Sequence, residues 1–211
     1  MPRKPSSETY DLHPSIAMME NWFKTLPEKT GRSYDQWMTF IRKEGPKEKK
    51  ALIDWLKAKH KQGTNTAWWF AERALAAPGT LFDDDPAGYM KLAPKYVADQ
   101  YAGKKAPLKP IFDRLLTLGR GLASDVKVCP CKTIVPLYRN HVFAQLKPST
   151  NTRVDLGLSL THHKGKLPSR IIDTGGAAKK DRITHRIPIS SVDEIDDDVK
   201  KWMQRAYDLD A

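Results

Sequence analysis

The chain has 211 residues, 40% hydrophobic and 29% charged, enough apolar material for one large domain or two small ones. Three things are missing: a run of about 18 apolar residues to cross a membrane, an apolar stretch behind the basic start to make a secretory signal, and a disulfide framework, since Cys129 and Cys131 are too few and too close. A net charge of +11 favours polyanionic partners such as nucleic acid, and a cytoplasmic chain without a membrane partner is the expectation.

Residues 1–10 read as a disordered tail. Five of the six tryptophans lie at Trp22, Trp37, Trp55, Trp68 and Trp69, whereas β-branched alternation fills the second half; this asymmetry predicts two modules. LHPSIAMMENWFKTL predicts a first helix ending at Pro27. In GRSYDQWMTFIRKEGP, Ser33 and Gln36 form a capping box, and Tyr34, Trp37, Met38 and Ile41 make a helical stripe. Gly45 ends that helix and Pro46 suits the first turn of the next. KEKKALIDWLKAKHKQG and GTNTAWWFAERALAAPG complete a helical bundle over residues 11–77, with Tyr34, Trp55 and Trp68 read as core.

Residues 78–91 read as a linker, and residues 92–211 as an α+β module. PLKPIFDRLLTLGRGLAS predicts a helix with Ile111, Leu115 and Leu118 aligned. Short strands follow in VKVCPC, TIVPLYRN, HVFAQLKP and RVDLGLSL. The last alternates as a half-buried strand with one wet face. In RITHRIPIS, Pro188 suits an edge strand. Connections this short allow hairpins and not parallel crossovers, so the sheet is antiparallel, with helices on one face and a helix at the C-terminus.

The acids of SSVDEIDDDVKKW, residues 190–202, read as a helix start. Ser191 and Glu194 make a capping box, Asp193, Asp196, Asp197 and Asp198 crowd the first turns, and Asp196–Lys200 and Asp197–Lys201 have the favoured spacing. A metal site needs oxygens converging on one point, whereas consecutive helical residues splay by about 100°.

Two stretches carry a resemblance. SYDQWMTFIRKEGPKEKKALIDWLKAKHKQGTNTAWWFAERA resembles a short bacterial helical domain of unknown function. The chain from FDRLL through VKVCPCKTIVPLYRNHVFAQLKPSTNTRVDLGLSL to ITHRIPISSVDEIDDDVKKWMQRAYD is similar to a second uncharacterised bacterial domain, itself distantly similar to YdhG-like proteins. Some of those are described as frataxin-like iron chaperones, and related sequences carry the label of predicted transport proteins. The resemblance implies a bacterial two-module protein with an α+β second half, and it brings no catalytic residues.

Other chemistry is sparse. IIDTGG matches the turn of aspartic proteases, but too little chain follows it for such a lobe, so it reads as a loop turn. Cys129-Pro130-Cys131 lacks the second ligand pair of a soft-metal site and reads as two reduced thiols beside a core. THHKGK, with His162 and His163, reads as a solvated loop or an anion or metal contact. His185 is in phase with Ile183, Ile187 and Ile189 and reads as a hydrogen-bonded histidine at the apolar face. Asp125-x-Lys127 matches half of a nuclease metal motif, with Asp113 the nearest second acid.

Basic residues are the most numerous feature. Lys47, Lys50, Lys57 and Lys61 gather around one helical pair, and Lys132, Arg139, Lys147 and Arg153 lie along the sheet, with Lys164 and Lys166 in nearby loops. Phosphate contacts on such surfaces give salt-dependent, weakly sequence-selective binding. A non-enzymatic, cofactor-free binding module for nucleic acid or another polyanion is therefore the first expectation. The alternatives are a frataxin-like iron-handling protein using Asp193, Glu194, Asp196 and Asp197, and a metal-dependent nuclease using Asp125.

Overall fold

A computed structural model describes residues 10–76 and 86–211. The chain divides into two units, residues 14–89 and residues 90–211, the latter joined by the N-terminal segment that ends at His13. Among the described residues no helix is long and apolar enough to cross a membrane.

The helical unit holds α1 (Pro14–Thr30), α2 (Tyr34–Glu44), α3 (Lys49–His60) and α4 (Thr64–Leu75). Helix α1 runs past Pro27, where the sequence predicts its end. Pro27 removes one bond from the last turn only, and that turn is held by Thr30 Oγ1 donating to the Leu26 carbonyl at 2.8 Å and by Gly31 N donating to the Pro27 carbonyl at 2.8 Å. Gly31, at φ +73°, then ends it in the left-handed conformation that glycine adopts without strain.

The capping box opens α2 as read: Gln36 N donates to Ser33 Oγ at 3.3 Å and Ser33 N to Gln36 Oε1 at 2.9 Å. Helix α3 starts after Pro46, because Glu48 accepts from Lys50 N at 3.0 Å and Ala51 N at 2.7 Å and so becomes its cap. Leu26, Trp37, Met38, Ile41, Leu52, Leu56 and Phe70 form the core, with Tyr34 and Trp55 partly buried against it. Trp68, expected in the core, is 45% exposed, with the Lys49 ammonium 5.1 Å from its ring centroid. Phe70 and Ala71 of the same helix face inward instead.

Two boundaries differ from the reading. Residues 1–9 and 78–85, read as tail and linker, lie outside the described residues. Residues 86–91, also read as linker, open α5 (Pro86–Gln100), where Tyr89, Ala93 and Val97 are buried at a spacing of four. Tyr10 is buried, and Asp11 to His13 join the sheet unit, not the bundle. Asp11 N donates to the Val128 carbonyl at 2.8 Å and Val128 N to Asp11 Oδ2 at 2.8 Å. His13 Nε2 lies 3.0 Å from the Tyr138 hydroxyl.

In the second unit a 3-10 turn (Gly103–Leu108) leads into α6 (Lys109–Arg120), whose buried stripe is Ile111, Phe112, Leu115, Leu116 and Gly119. A Cβ on Gly119 would come within 2.2 Å of Leu137 Cδ2; glycine lets the helix lie close on the sheet. The six strands are β1 (Lys127–Val128), β2 (Val135–Tyr138), β3 (Val142–Lys147), β4 (Val154–Leu158), β5 (Ile172–Asp173) and β6 (His185–Ile189). Their order is β1-β2-β3-β4-β6-β5, every pair antiparallel, and α7 (Asp197–Asp208) packs on β3 and β4. This is the α+β fold expected: a helical bundle, then an antiparallel sheet closed by a C-terminal helix.

Pro188 sits on β6 between two strands. β5 pairs only with His185 and Arg186, so Pro188 occupies a stretch with no strand beyond it and its missing N–H breaks no ladder. The start of α7 also differs from the reading. Its cap is Asp196, which accepts from Val199 N at 2.9 Å. Ser191 instead opens a separate 3-10 turn (Val192–Glu194) without a side-chain cap.

Candidate functional site: a polar pocket on the sheet

β4 is buried on both faces, not wet on one. Val154, Leu156 and Leu158 are core. Their alternation partners Asp155 and Gly157 form the floor of a pocket of about 400 Å³ on the opposite face. Strand register builds its walls: Gln145 of β3 and Arg186 of β6 flank Gly157, and Lys147 flanks Asp155. The segment after β5 closes one side with Thr174 and Ile183. A Cβ on Gly157 would lie 2.7 Å from both Gln145 Cγ and Ile183 Cγ2, so a side chain there would fill the floor.

Asp155 organises the charge. Its side chain is 9% exposed and lies between two guanidiniums, with Arg186 Nη1 2.8 Å from Oδ2 and Arg153 Nε 2.8 Å from Oδ1. The second contact is an ion pair without hydrogen-bond alignment, since neither Arg153 Nε nor Asp155 Oδ1 finds a well-directed partner among the described residues. Burial pushes this carboxyl up, but hydrogen bonds from Ser149 and Arg186 and the charges of Arg186 and Arg153 outweigh it and hold it below its ordinary value. The aspartate stays ionised and pins two arginines, each with donors to spare. Lys147 has no carboxylate partner among the described residues. Asp173, also in the lining, accepts from Gly175 N at 2.7 Å, the turn chemistry read from Asp-Thr-Gly-Gly.

The structure thus brings Lys147 and Arg153 together and adds Arg186, which the sequence reading missed. The signal was present: Arg186 is out of phase with Ile187 and Ile189, as Asp155 is with Leu156. The other basic candidates lie elsewhere. Lys132, Lys164 and Lys166 are exposed in loops. Arg139 stacks 4.4 Å over the Tyr207 ring and lies 3.6 Å from Asp125. On the helical unit Lys47 donates to the Arg42 carbonyl at 2.5 Å, Lys50 lies 3.4 Å from Asp54, and Lys57 is exposed on α3. Lys61 caps α3 at φ 55° and borders a second cavity.

Among the described residues no three His, Cys, Asp or Glu side chains gather as metal ligands. Asp196 caps α7 and binds Arg170 Nη1 at 2.7 Å, taking that partner in place of Lys200. Glu194 accepts from Ser190 N at 3.2 Å; Asp193 and Asp197 are exposed. Asp125 accepts from the Tyr207 hydroxyl at 2.7 Å, and Asp113 lies on α6 beside Lys109 at 2.5 Å. Cys129 is buried, and burial first, then Asp11 and Cys131, pushes its thiol up to about 12. His185 Nδ1 lies 2.8 Å from Thr184 Oγ1, the hydrogen bond its phase implied. His163 receives Arg205 Nε at 3.4 Å, while His162 stays exposed.

Residues 97–210, more than half of the chain, match the family model described as Domain of unknown function (DUF5655), and the chain belongs to that family. Residues 19–68 match a second model, Domain of unknown function (DUF4287). The two matches fall on the two modules that the resemblance indicated. No curated protein and no solved structure matches the chain.

Proposed function

We propose that this chain is a non-enzymatic bacterial cytoplasmic module that binds phosphate-bearing polyanions, nucleic acid first, on the polar face of its sheet. One observation carries the reading: the buried Asp155 carboxylate holds Arg153 and Arg186 in place beside Lys147, which has no carboxylate partner among the described residues. Guanidiniums fixed in advance lose little freedom on meeting a phosphate, and Arg presents a fork that matches its oxygens. Both units are basic, with twelve Lys and Arg against seven Asp and Glu in residues 14–76 and twenty-two against thirteen in residues 86–211. Charge of this kind draws a polyanion to the molecule from either side.

The test is a titration of labelled single-stranded and duplex DNA and RNA at salt rising from about 50 to 200 mM, over which phosphate-dominated affinity falls by orders of magnitude. Lys147→Ala should weaken binding equally across sequences and lower the salt slope by about one. Arg186→Lys keeps the charge but loses the fork, so it should weaken binding while preserving most of the slope. No binding at the lowest salt, or wild-type affinity in both variants, removes the reading.

A further inference from the structure

The helical unit has a cavity of about 580 Å³, within the size range of small-molecule sites. Trp22, partly exposed, supplies its open apolar surface, and Leu26 and Trp37 lie buried behind it. Lys29, Arg32 and Lys61 stand at its border, and no Asp or Glu lines it. Among the described residues none of these three cations forms an ion pair with a carboxylate. The cavity on the sheet, by contrast, balances its cations with Asp155 and Asp173.

Two of the three cations, Arg32 and Lys61, are placed by contacts of the fold. The Arg32 guanidinium lies 5.0 Å from the Trp37 ring centroid and 4.1 Å from that of Phe40, within cation–π range of both. Lys61 takes the left-handed C-cap position of α3, and two residues later Gly63 opens α4 with no side chain to satisfy its first amides. Polar groups from Thr30, Gln62 and Thr66 complete the border. His60 also lines the cavity, and its buried Nε2 has no hydrogen-bond partner among the described residues.

We infer that this aromatic-walled, cation-bordered cavity is a binding site for a nucleoside monophosphate. The phosphate would meet Lys29, Lys61 and the open amides of α4, and the base would lie against the Trp22 indole. Stacking and charge then act on different parts of one ligand, each contributing binding that a fragment lacks. The site lies wholly within the helical unit and does not rest on the sheet-face reading.

Titration of the full chain with adenosine and guanosine monophosphates, followed by tryptophan fluorescence, tests this. Saturable quenching is expected, with the matching nucleosides and inorganic phosphate each binding at least about tenfold more weakly, one charge-assisted or stacking contact apiece. Lys29→Gln with Lys61→Gly should weaken the monophosphates by at least about tenfold, with unchanged circular dichroism; glycine keeps the backbone conformation at position 61. Lys147→Ala should leave this binding alone. Absence of quenching up to millimolar monophosphate overturns the site, as does wild-type affinity in the double variant. Phosphate binding as tightly as the monophosphate overturns the base-binding half.

Discussion

The two cavities treat positive charge in opposite ways. On the sheet, Arg153 and Arg186 converge on a buried carboxylate, so the charges are held by one another. In the helical unit three cations border an aromatic wall with no acid in the lining; ring stacking holds Arg32 and backbone geometry places Lys61. Removing a charge from the first should therefore break structure, whereas removing one from the second should relieve repulsion and break only binding. That contrast can be attacked at several points.

The largest effect belongs to Asp155. Asp155→Ala strands two arginines around an apolar gap and should cost the sheet unit about 2–3 kcal/mol, the lower end for a broken buried pair because both guanidiniums keep some solvent. Lys29→Gln in the helical unit should change stability by less than about 0.5 kcal/mol. Urea unfolding of the two variants measures both, and equal losses would erase the contrast. Gly157→Ala should come next, at about 1–3 kcal/mol, because the new methyl must displace Gln145 and Ile183 from the pocket floor.

How much of this was legible follows from where each signal lives. The helices of the first unit carry their own capping and periodic stripes, so α2 was readable from Ser33, Gln36 and the spacing of Trp37 and Ile41. Cys129-Pro130-Cys131, Asp-Thr-Gly-Gly and the phase of His185 were likewise local and legible. The sheet pocket was not, because it depends on register. Lys147 and Arg153 were singled out as charges, but only the pairing of β3, β4 and β6 sets Lys147 beside Asp155 and brings Arg186 to the same carboxylate. The alternation of RVDLGLSL implied a wet face, and long-range covering by Ile183 and two arginines made it a buried floor. Trp68 misled for the converse reason: one residue from Trp69 on a helix, it points about 100° away. The N-terminal segment was invisible as a partner of β1, since its contacts with Val128 and Tyr138 span more than a hundred positions.

Acid should separate the two units. The His60 imidazole is pushed below its ordinary value, by burial first and then by Arg32 and Lys59, so the unfolded chain binds that proton more readily. The helical unit should lose stability as pH falls from about 7 to 5, through the ordinary histidine range. Asp155 has the same proton preference but a lower window. Its folded pKa is depressed, so its contribution is full above the ordinary aspartate value near 4 and is lost only as pH falls below that. Five of the six tryptophans lie in the helical unit, so fluorescence-detected urea midpoints should decline between pH 7 and 5, and His60→Gln should flatten that decline. Midpoints that hold steady to pH 5 in the wild type would reverse the assignment.

The smallest effect is the sharpest comparison. Lys61 and Lys180 are the two non-glycine residues at positive φ among the described residues, at 55° and 57°, a conformation that disfavours a residue with a Cβ by roughly 1 kcal/mol. Each ends a helical turn where glycine is the usual occupant. Lys61→Gly and Lys180→Gly should therefore both stabilise the protein, by up to about 1 kcal/mol each. Only Lys61 borders the aromatic cavity, so only Lys61→Gly should weaken nucleoside monophosphate binding while it raises the unfolding midpoint. Strain retained at a binding position and released with loss of binding is the signature of a residue kept for its ammonium. If the two variants gain stability alike and bind alike, Lys61 is a helix end and nothing more.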